Sequence, residues 1–317
     1  MFDSAQILPQ VLERYALDVV RHEHVRTSEN VVLKLLARDG RAFALRIRKT
    51  AGAGSAHILS ELAVLRDFGA RAGATVPVPL PARDGRLFCP VAVEQETFQC
   101  AIFSWVSGVH VAADQISPPQ MAAMARAVAQ LHAFSAAYRP PADFVRPVYD
   151  DAWFFGPGTW SADPEFVARL APDAAAYLQE ANRTVRDRLR SFPRAPDSFG
   201  LIHYDPHPGN FLFENDAAHL LDFDECGFGP YLFDLAHVLF EFIENSRFPD
   251  YRDAAHAEYA AARNGRAISE ADLQLFLALQ AIAYVNWLHR IFRRDGNANA
   301  AAGWIPRIVR RLQAVLA

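Results

Sequence analysis

Residues 201–229 read LIHYDPHPGNFLFENDAAHLLDFDECGFG, and this stretch decides the fold. Two short apolar runs, 211–213 and 219–221, flank a turn-forming Glu-Asn-Asp at 214–216, so the sequence predicts a β-hairpin. Polar residues stand before the first run and after the second, and a hairpin would bring these ends together. Carboxylates crowded in this way raise each other's pKa unless a cation compensates them. Because Mg²⁺ prefers carboxylate and amide oxygens, the stretch predicts a Mg²⁺ site.

Three polar residues of this stretch have the chemistry that phosphoryl transfer needs. Asp205 and Asn210 lie five positions apart, and the prolines and glycine between them exclude a regular helix. Asp222 follows Asn210 by 12 positions, where the hairpin would return it to the same place. Transfer from a nucleotide requires a carboxylate that takes a proton, and an amide and a second carboxylate that hold metal. The simpler alternative is that Asp205 and Asn210 are turn residues.

The motifs around this stretch resemble those of a known family. The run from His203 to Asn210 matches the H-x-D-x-x-x-x-N catalytic loop of kinases. Asp-Phe-Asp at 222–224 stands where protein kinases carry Asp-Phe-Gly, and Gly-Pro-x-x-x-Asp-Leu-Ala follows at 229–236. This combination is similar to the aminoglycoside phosphotransferase and choline kinase superfamily. The resemblance is strong over 201–240 and weaker, but in the same order, over the rest of the chain.

The resemblance implies a role for each matching residue. Asp205 would be the catalytic base that faces the substrate hydroxyl, and Asn210 and Asp222 would hold Mg²⁺ against the nucleotide phosphates. Asp234 would brace the catalytic loop by accepting its backbone N–H groups. The implied cofactors are ATP, or GTP, and Mg²⁺. The implied partner is a small molecule that accepts the phosphoryl group on a hydroxyl.

The same resemblance assigns nucleotide binding to the first part of the chain. Glu61 would pair with a phosphate-contacting cation, which is Arg46 where protein kinases carry lysine. Arginine keeps the charge and can bind phosphate through two hydrogen bonds. The backbone of Ser104 to Val106 would read the base. Since no G-x-G-x-x-G loop is present, Asn30 with residues 27–29 would cover the phosphates by other chemistry. The simpler alternatives are an exposed strand face for Arg46 and a helix surface for Glu61.

The rest of the chain predicts two lobes of different character. Apolar periodicity predicts helices over 1–20 and 55–68, strands within 25–49 and 87–105, and an extended connector over 73–81. Beyond Gly108 helices dominate, and they are predicted over 118–138, 165–192, 232–243, 251–263, 270–292 and 304–316. We therefore predict an α+β, bilobal protein-kinase-like fold. Its small antiparallel-sheet lobe, 1–107, would bind nucleotide, and its larger, mainly helical lobe, 108–317, would carry catalysis and acceptor binding.

Composition limits the remaining possibilities. The chain has 317 residues, of which 51% are hydrophobic, and a net charge of −4, which argues against a general nucleic-acid binder. Its three cysteines are too scattered for a disulfide framework or a zinc site. No signal segment opens the chain, and no apolar run reaches the roughly 18 residues that span a bilayer. We expect a cytoplasmic protein without nucleic-acid or membrane partners, and the oligomeric state stays open.

The leading hypothesis is a Mg²⁺-dependent phosphotransferase that moves the γ-phosphate of ATP or GTP to a hydroxyl of a small, amine-bearing molecule. Aminoglycosides, amino alcohols and homoserine-like compounds are examples. Acidic residues at Asp205, Asp224 and Glu225 would favour such cationic acceptors. A bacterial protein Ser/Thr kinase is an alternative, although the seven residues between Asp222 and Pro230 leave little room for an activation segment. A non-catalytic nucleotide-binding protein and a metal-dependent hydrolase are the others.

Overall fold

The computed structural model describes residues 4–27, 30–49, 54–263, 265, 268–295 and 298–316. The chain forms two compact units. The first comprises Met1–Val109, Arg139–Arg146 and Leu221–Asp224, and the second comprises His110–Tyr138, Pro147–Leu220 and Glu225–Ala317. Two short segments that lie beyond Val109 in the chain therefore belong to the first unit. The domain limits 1–107 and 108–317 stay a prediction.

The first unit contains one antiparallel sheet. Its strands are β1 (Val19–Thr27), β2 (Asn30–Ala37), β3 (Ala42–Lys49), β4 (Cys89–Val93) and β5 (Glu96–Ser104), in the order β1-β2-β3-β5-β4. Helix α1 spans Ser4–Arg14, so the prediction of a helix over 1–20 is wrong at its end. The reason is the β-branched pair Val19 and Val20, which favours a strand although its spacing also suits a helix.

The β2–β3 hairpin sets the two faces of this sheet. Its turn contains Gly40 at a φ of 85°, a conformation that glycine adopts without strain. On β3 the side chains of Phe43, Leu45 and Ile47 are buried in the core, as the alternation predicts. The opposite face of β3 presents Arg46 and, two residues on, Arg48. The hairpin therefore places two guanidinium groups side by side on the same face of the sheet.

Helix α2 (Ser55–Ala72) and the connector after it complete the first unit. The helix ends at Gly73, which has a left-handed φ of 61°. The connector is extended, as predicted, and it pairs with β5: Leu80 N–H donates to the Ile102 carbonyl at 2.7 Å, and Ser104 N–H donates to the Val78 carbonyl at 2.8 Å. Prolines occupy the alternate positions 77, 79 and 81, so the N–H groups needed at 78 and 80 remain.

The second unit is mainly helical. Its helices are α3 (Pro118–Ala137), α4 (Asp151–Phe155), α5 (Pro164–Val167), α6 (Pro172–Arg190), α7 (Tyr231–Phe240), α8 (Phe248–Ala262), α9 (Glu270–Asp295) and α10 (Ala298–Leu316). The prediction of one helix over 165–192 is wrong, because the helical structure is interrupted between α5 and α6. Pro172 lacks an N–H and so cannot continue a helix, but it suits the first position of a new one.

The predicted central hairpin is confirmed within this unit. Strands β7 (Phe211–Glu214) and β8 (Ala217–Leu220) pair through a turn in which Asn215 has a φ of 53°. A second ribbon, which the sequence did not reveal, pairs β6 (Phe199–Ile202) with β9 (Gly227–Pro230). The residues between β8 and β9 are only the six positions 221–226.

Helix α9 is the long apolar element of the second unit. Its residues Glu270–Arg294 have the length and composition of a membrane span, but 78% of the apolar window is buried inside the protein. Such burial is typical of the core helix of a globular fold. The helix contributes the buried side chain of Gln280 and the adjacent Tyr284, which lie near the candidate active site described below.

Candidate active site

The loop from His203 to Asn210 follows β6 directly and carries two of the predicted site residues. Tyr204 has a φ of 76°, a left-handed backbone that a bulky residue rarely adopts. A 3₁₀ turn, Pro208–Asn210, closes the loop, and the Nδ1 atom of His207 accepts a hydrogen bond from the Gly209 N–H at 3.0 Å. The loop is therefore irregular at its entry and locally hydrogen-bonded at its exit.

Asp234 on α7 holds the entry of this loop. Its side chain is fully buried, and its two oxygens accept hydrogen bonds from the N–H groups of His203 at 2.7 Å and Tyr204 at 2.8 Å. The Nε2 atom of His132 on α3 lies 3.1 Å from the same carboxylate, and its Nδ1 lies 2.8 Å from Tyr259 Oη. Burial lowers the pKa of His132, so a neutral ring donates its Nε2 proton to Asp234. The predicted bracing contact is confirmed.

Aromatic rings fix the strained residue next to the predicted base. The ring of Tyr204 stacks between Tyr149, at a centroid distance of 3.8 Å, and Phe233, at 5.2 Å. Trp153 donates its indole N–H to Tyr204 Oη at 3.3 Å. Stacked aromatic pairs contribute about 0.5–1.5 kcal/mol beyond their buried area. These contacts offset the cost of the left-handed backbone at Tyr204, which is about 1–3 kcal/mol.

Asp205 and Asn210 lie in direct contact. The Nδ2 atom of Asn210 donates to the Asp205 carbonyl at 2.9 Å and to its Oδ2 at 3.3 Å. Asn210 is buried, whereas the Asp205 side chain is 41% exposed. These bonds fix the amide, and its Oδ1 makes no hydrogen bond to any residue that the structure describes. An amide oxygen held in place but free of hydrogen bonds suits a ligand for a hard cation.

Two histidines flank the Asp205 carboxylate. The Nε2 atom of His207 lies 3.7 Å from Oδ2, and the Nε2 atom of His237 lies 3.5 Å from Oδ1. His237 comes from α7, one turn after Asp234, and is almost fully buried. Neither histidine was given a role by the sequence motifs. A histidine in an apolar helix gives no local signal, and only its position three residues after Asp234 could have indicated this contact.

In the first unit, Arg46 and Glu61 form the predicted ion pair. The two Nη atoms of Arg46 donate to the two carboxylate oxygens of Glu61 at 2.6 and 2.8 Å. Glu61 is fully buried, the Arg46 side chain is 13% exposed, and the guanidinium lies 5.0 Å from the ring centroid of Phe103. Burial alone would lower the pKa of Arg46, but the Glu61 carboxylate raises it above its ordinary value. The pair is charged and bidentate, which excludes the simple exposed-surface alternative for both residues.

Asp222 belongs to the first unit and has an unusual backbone, with a φ of 59°. Although the side chain has an exposed face, the surrounding atoms withdraw its carboxylate from water and raise its pKa, an effect that Arg46 opposes. The neighbouring carboxylates of Asp224 and Glu61 raise it further. In such surroundings a nearby cation stabilises the ionised form of the carboxylate.

Asp224 has partners that correct one expectation. Its Oδ1 contacts Arg48 Nη1, and its Oδ2 accepts from Asn30 Nδ2 at 3.5 Å. Burial alone would raise the pKa of Asp224, but Arg46 and Arg48 lower it below its ordinary value. The charge of Asp224 is thus compensated inside the first unit. The expectation that Asp224 adds to an acidic surface for a cationic acceptor loses its support.

Arg146, which the sequence analysis did not single out, joins two parts of the first unit. Its Nη2 contacts the Asp224 carbonyl, and its Nη1 donates to the His57 carbonyl on α2 at 3.4 Å. The adjacent Val145 N–H donates to the Oγ of Ser60 on the same helix at 2.8 Å. The segment Arg139–Arg146 therefore fastens the residues after Asp222 to the helix that carries Glu61.

The other predicted nucleotide-binding residues also lie in the first unit. Ser104 ends β5, and its Oγ accepts from the Val78 N–H at 3.0 Å. Val106 is buried, and its N–H donates to no residue that the structure describes. Asn30 begins β2. The residues expected to act with it in covering the phosphates include Ser28 and Glu29, which lie outside the described residues.

The predicted site residues thus form two groups. The second unit contains Asp205 and Asn210, and the first contains the rest, namely Asn30, Arg46, Glu61, Ser104, Val106 and Asp222. Among the described residues, no cluster of three or more His, Cys, Asp and Glu side chains forms a closed metal cage. Mg²⁺ is usually bound by one or two carboxylates together with substrate phosphates, so the oxygens of Asn210 and Asp222 are donors of the fitting kind.

Comparison with known proteins shows which sequences and structures this chain is similar to. The model of the phosphotransferase enzyme family matches residues 24–273. The amicoumacin kinase of Bacillus subtilis (strain 168) is 22% identical over 243 residues, which cover 76% of this chain and 68% of that protein.

Solved structures share the fold. A microcompartment-associated aminopropanol kinase has a TM-score of 0.77 at 22% identity, covering 98% of this chain and 95% of its own. An amicoumacin kinase, solved with AMP-PNP and Ca²⁺, has a TM-score of 0.75 at 18% identity and covers 98% and 93%. The predicted α+β kinase-like fold, with an antiparallel N-terminal sheet and a helical C-terminal part, is confirmed.

Proposed function

The chain belongs to the phosphotransferase enzyme family, and on that premise we propose that it moves the γ-phosphoryl group of ATP or GTP, with Mg²⁺, to a hydroxyl of a small, amine-bearing molecule. That it is a kinase-type phosphotransferase follows from the family. The finer proposal rests above all on the Asp205 loop, where an accessible carboxylate is fixed by Asn210 while the loop entry is held by Asp234.

In this proposal Asp205 is the general base. It takes the proton of the acceptor hydroxyl as that oxygen forms a bond to the γ-phosphorus, and the bond from phosphorus to the departing nucleoside diphosphate breaks. Asn210 of the second unit and Asp222 of the first are the proposed metal ligands. Bound Mg²⁺ supplies neutralisation of the phosphate charge. Asp234 takes no part in the chemistry and keeps the Asp205 backbone in place.

The nucleotide-binding roles are proposals as well. Arg46, oriented by Glu61, would contact phosphate, and Asn30, at the start of β2, would help to cover the phosphates. The buried ion pair supports this, because a guanidinium locked by a carboxylate presents its remaining N–H groups in a fixed direction. The backbone of Ser104 to Val106 would read the base, and the uncommitted N–H of Val106 supports that role.

We expect Arg46→Lys to weaken nucleotide binding. Lysine has the charge but cannot form two parallel hydrogen bonds with Glu61, so about 1.5–3 kcal/mol of folding stability is expected to be lost with one charged hydrogen bond. The Kd for ATP or GTP, measured by calorimetry, is expected to rise about tenfold, which corresponds to about 1.4 kcal/mol. Arg21→Lys, on exposed β1, is the matched control and is expected to change neither quantity. Unaltered affinity in Arg46→Lys refutes a phosphate contact.

The acceptor class is inferred from charge and from the relatives. Of the three acids expected to favour a cationic acceptor, Asp224 is paired within the first unit, whereas Asp205 and Glu225 belong to the second unit and are at least partly exposed. The structural neighbours include a kinase named for aminopropanol, which has both an amine and a hydroxyl. These observations support an amino alcohol or a larger amine-bearing acceptor.

A nucleotide-consumption screen tests this proposal directly. Purified protein with ATP or GTP and Mg²⁺ is offered hydroxyl compounds in matched pairs, such as aminopropanol with propanediol. We expect turnover with the amine-bearing member only. Equal turnover of both members refutes the amine preference, and turnover without nucleotide identifies a metal-dependent hydrolase. Nucleotide binding without any turnover supports a non-catalytic protein on the same fold. A cytoplasmic location accords with the proposed chemistry and is itself a proposal.

A further inference from the structure

One buried histidine of the second unit lies beside the proposed base and takes no part in the chemistry proposed above. The Nε2 atom of His237 lies 3.5 Å from Asp205 Oδ1, on the side of the carboxylate opposite the Asn210 contact at Oδ2. His237 is only 5% exposed. Asp205 therefore has polar neighbours at both oxygens: the Asn210 amide and the more distant His207 imidazole at Oδ2, and the His237 imidazole at Oδ1.

The other edge of the ring is anchored to the same loop. The Nδ1 atom of His237 lies 2.9 Å from the Tyr204 carbonyl oxygen. A carbonyl can only accept, so the close approach requires a proton on Nδ1. The amide of Gln280 lies 3.2 Å from Nδ1, and it complements this proton when its oxygen faces the ring, since amide oxygen and nitrogen are interchangeable in such an assignment.

The ring carries one proton. Burial lowers the pKa of His237 to about 3, and the nearby His207 contributes, so the imidazole is neutral. With its proton directed to Tyr204, His237 has a lone pair on Nε2, and that lone pair faces Asp205 Oδ1. Among the described residues Nε2 is buried without a hydrogen-bond partner, so a proton gained by the carboxylate 3.5 Å away would give it the donor that it lacks.

We propose that His237 is a positioning residue for Asp205. Its Nδ1 anchors the Tyr204 carbonyl, and its Nε2 receives a hydrogen bond from Asp205 once this base has taken a proton. The inference rests on the proposed function. The O–H bond of the acceptor breaks, its proton passes to Asp205, and its oxygen bonds to phosphorus as the bond to the nucleoside diphosphate breaks. The proton then lies on Oδ1 and is hydrogen-bonded to His237 Nε2.

Two substitutions of His237 distinguish the contribution of Nε2 from that of Nδ1. The amide of glutamine reaches the Nε2 position, whereas the shorter amide of asparagine reaches only the Nδ1 position. We expect His237→Gln to retain most of the kcat and His237→Asn to lose about tenfold or more, the effect expected when one hydrogen bond is lost from the transition state. The KM for nucleotide is expected to be unchanged in both. His289→Gln, a buried histidine on α9 bonded to Asp163, controls for the insertion of a buried glutamine.

The proposal is overturned if His237→Asn, and not His237→Gln, retains activity. Full activity of His237→Asn with loss in His237→Gln assigns the residue to bracing Tyr204 alone. Equal losses, or no loss in either variant, also refute a role for Nε2. Thermal unfolding of each variant shows whether a loss of activity merely reflects a loss of folded protein.

A second measurement needs neither turnover nor a folded His237 variant. Side-chain ¹⁵N resonances of the histidines are compared between the unaltered protein and Asp205→Asn. We expect the Nε2 resonance of His237 to move and that of His289 to stay, and an unmoved His237 resonance overturns the proposal. If the acceptor screen finds no turnover at all, the proposed function fails while this contact is still measured.

Discussion

Asp205→Asn is expected to lower the kcat of phosphoryl transfer by about 10²- to 10⁴-fold, the usual contribution of a general base. Asparagine has nearly the same shape, so the loop and its contact with Asn210 are expected to persist. Its amide cannot take the proton of the acceptor hydroxyl. The rate is measured by nucleotide consumption with an acceptor found in the screen, and nucleotide affinity by calorimetry. We expect the affinity to be nearly unchanged, which separates a chemical defect from a binding defect.

The control for this substitution lies on the hairpin that follows the Asp205 loop. Asp216 is exposed in the turn between β7 and β8, and Asp216→Asn removes an equal charge without touching the loop. We expect its kcat to match that of the unaltered protein. If Asp205→Asn retained the full rate, Asp205 would not be the base, and the assignment of the whole loop to catalysis would fail with it.

Of the substitutions proposed here, Asp234→Asn is expected to lower the free energy of unfolding the most. The substitution replaces one acceptor with an N–H donor of the same size, so no cavity forms. At least one of the N–H groups of His203 and Tyr204 then faces a donor, and His132 loses its charged partner. Each stranded buried group costs about 1–3 kcal/mol, so the free energy of unfolding is expected to fall by about 3 kcal/mol or more. Chemical denaturation followed by fluorescence measures it.

The kcat of Asp234→Asn provides a second test of the bracing role. Because Asp234 positions the backbone of Asp205, the kcat is expected to fall even at temperatures at which the variant is folded. Asp253→Ala, on the exposed surface of α8, is the comparison and is expected to leave both stability and kcat nearly unchanged. A stable Asp234→Asn variant would contradict the bracing role that both the sequence and the structure assign to this carboxylate.

Much of the second-unit site could be predicted because its residues are close in sequence. Asp205 and Asn210 are separated by a stretch rich in proline and glycine, which has few conformations, and their contact follows from that stretch. The contact of Asp234 with His203 and Tyr204 spans about 30 positions, yet the family pattern contains both ends. The ion pair of Arg46 with Glu61 could be predicted for the same reason.

The remaining contacts could not be read from local patterns. Arg48 and Asp224 are 176 positions apart, so no periodicity connects them. Arg146 lies in an irregular segment that gave no sign of belonging to the first unit. His237 looks like one more buried residue of an apolar helix, and its contact with Asp205 depends on how α7 packs against the loop. Long-range packing decides each of these contacts.

The errors in the fold have local causes. Val19 and Val20 extend an apolar pattern that suits a helix until their β-branching is weighed against it. Pro172 was contained in a predicted helix, although a proline that lacks an N–H marks a helix start more often than a helix interior. In both cases the hydrophobic period was read correctly, and the backbone preference of one or two residues determined the outcome.

The short passage from β8 to β9 has a consequence for how such an enzyme is controlled. In protein kinases the corresponding segment is long enough to refold when it is phosphorylated, and its folded form also supports a peptide substrate. Only residues 221–226 are available here, and two of them, Phe223 and Cys226, are buried. This stretch is too short to refold on phosphorylation or to support a bound peptide substrate. Control by phosphorylation of this segment, as in protein kinases, is therefore not expected here.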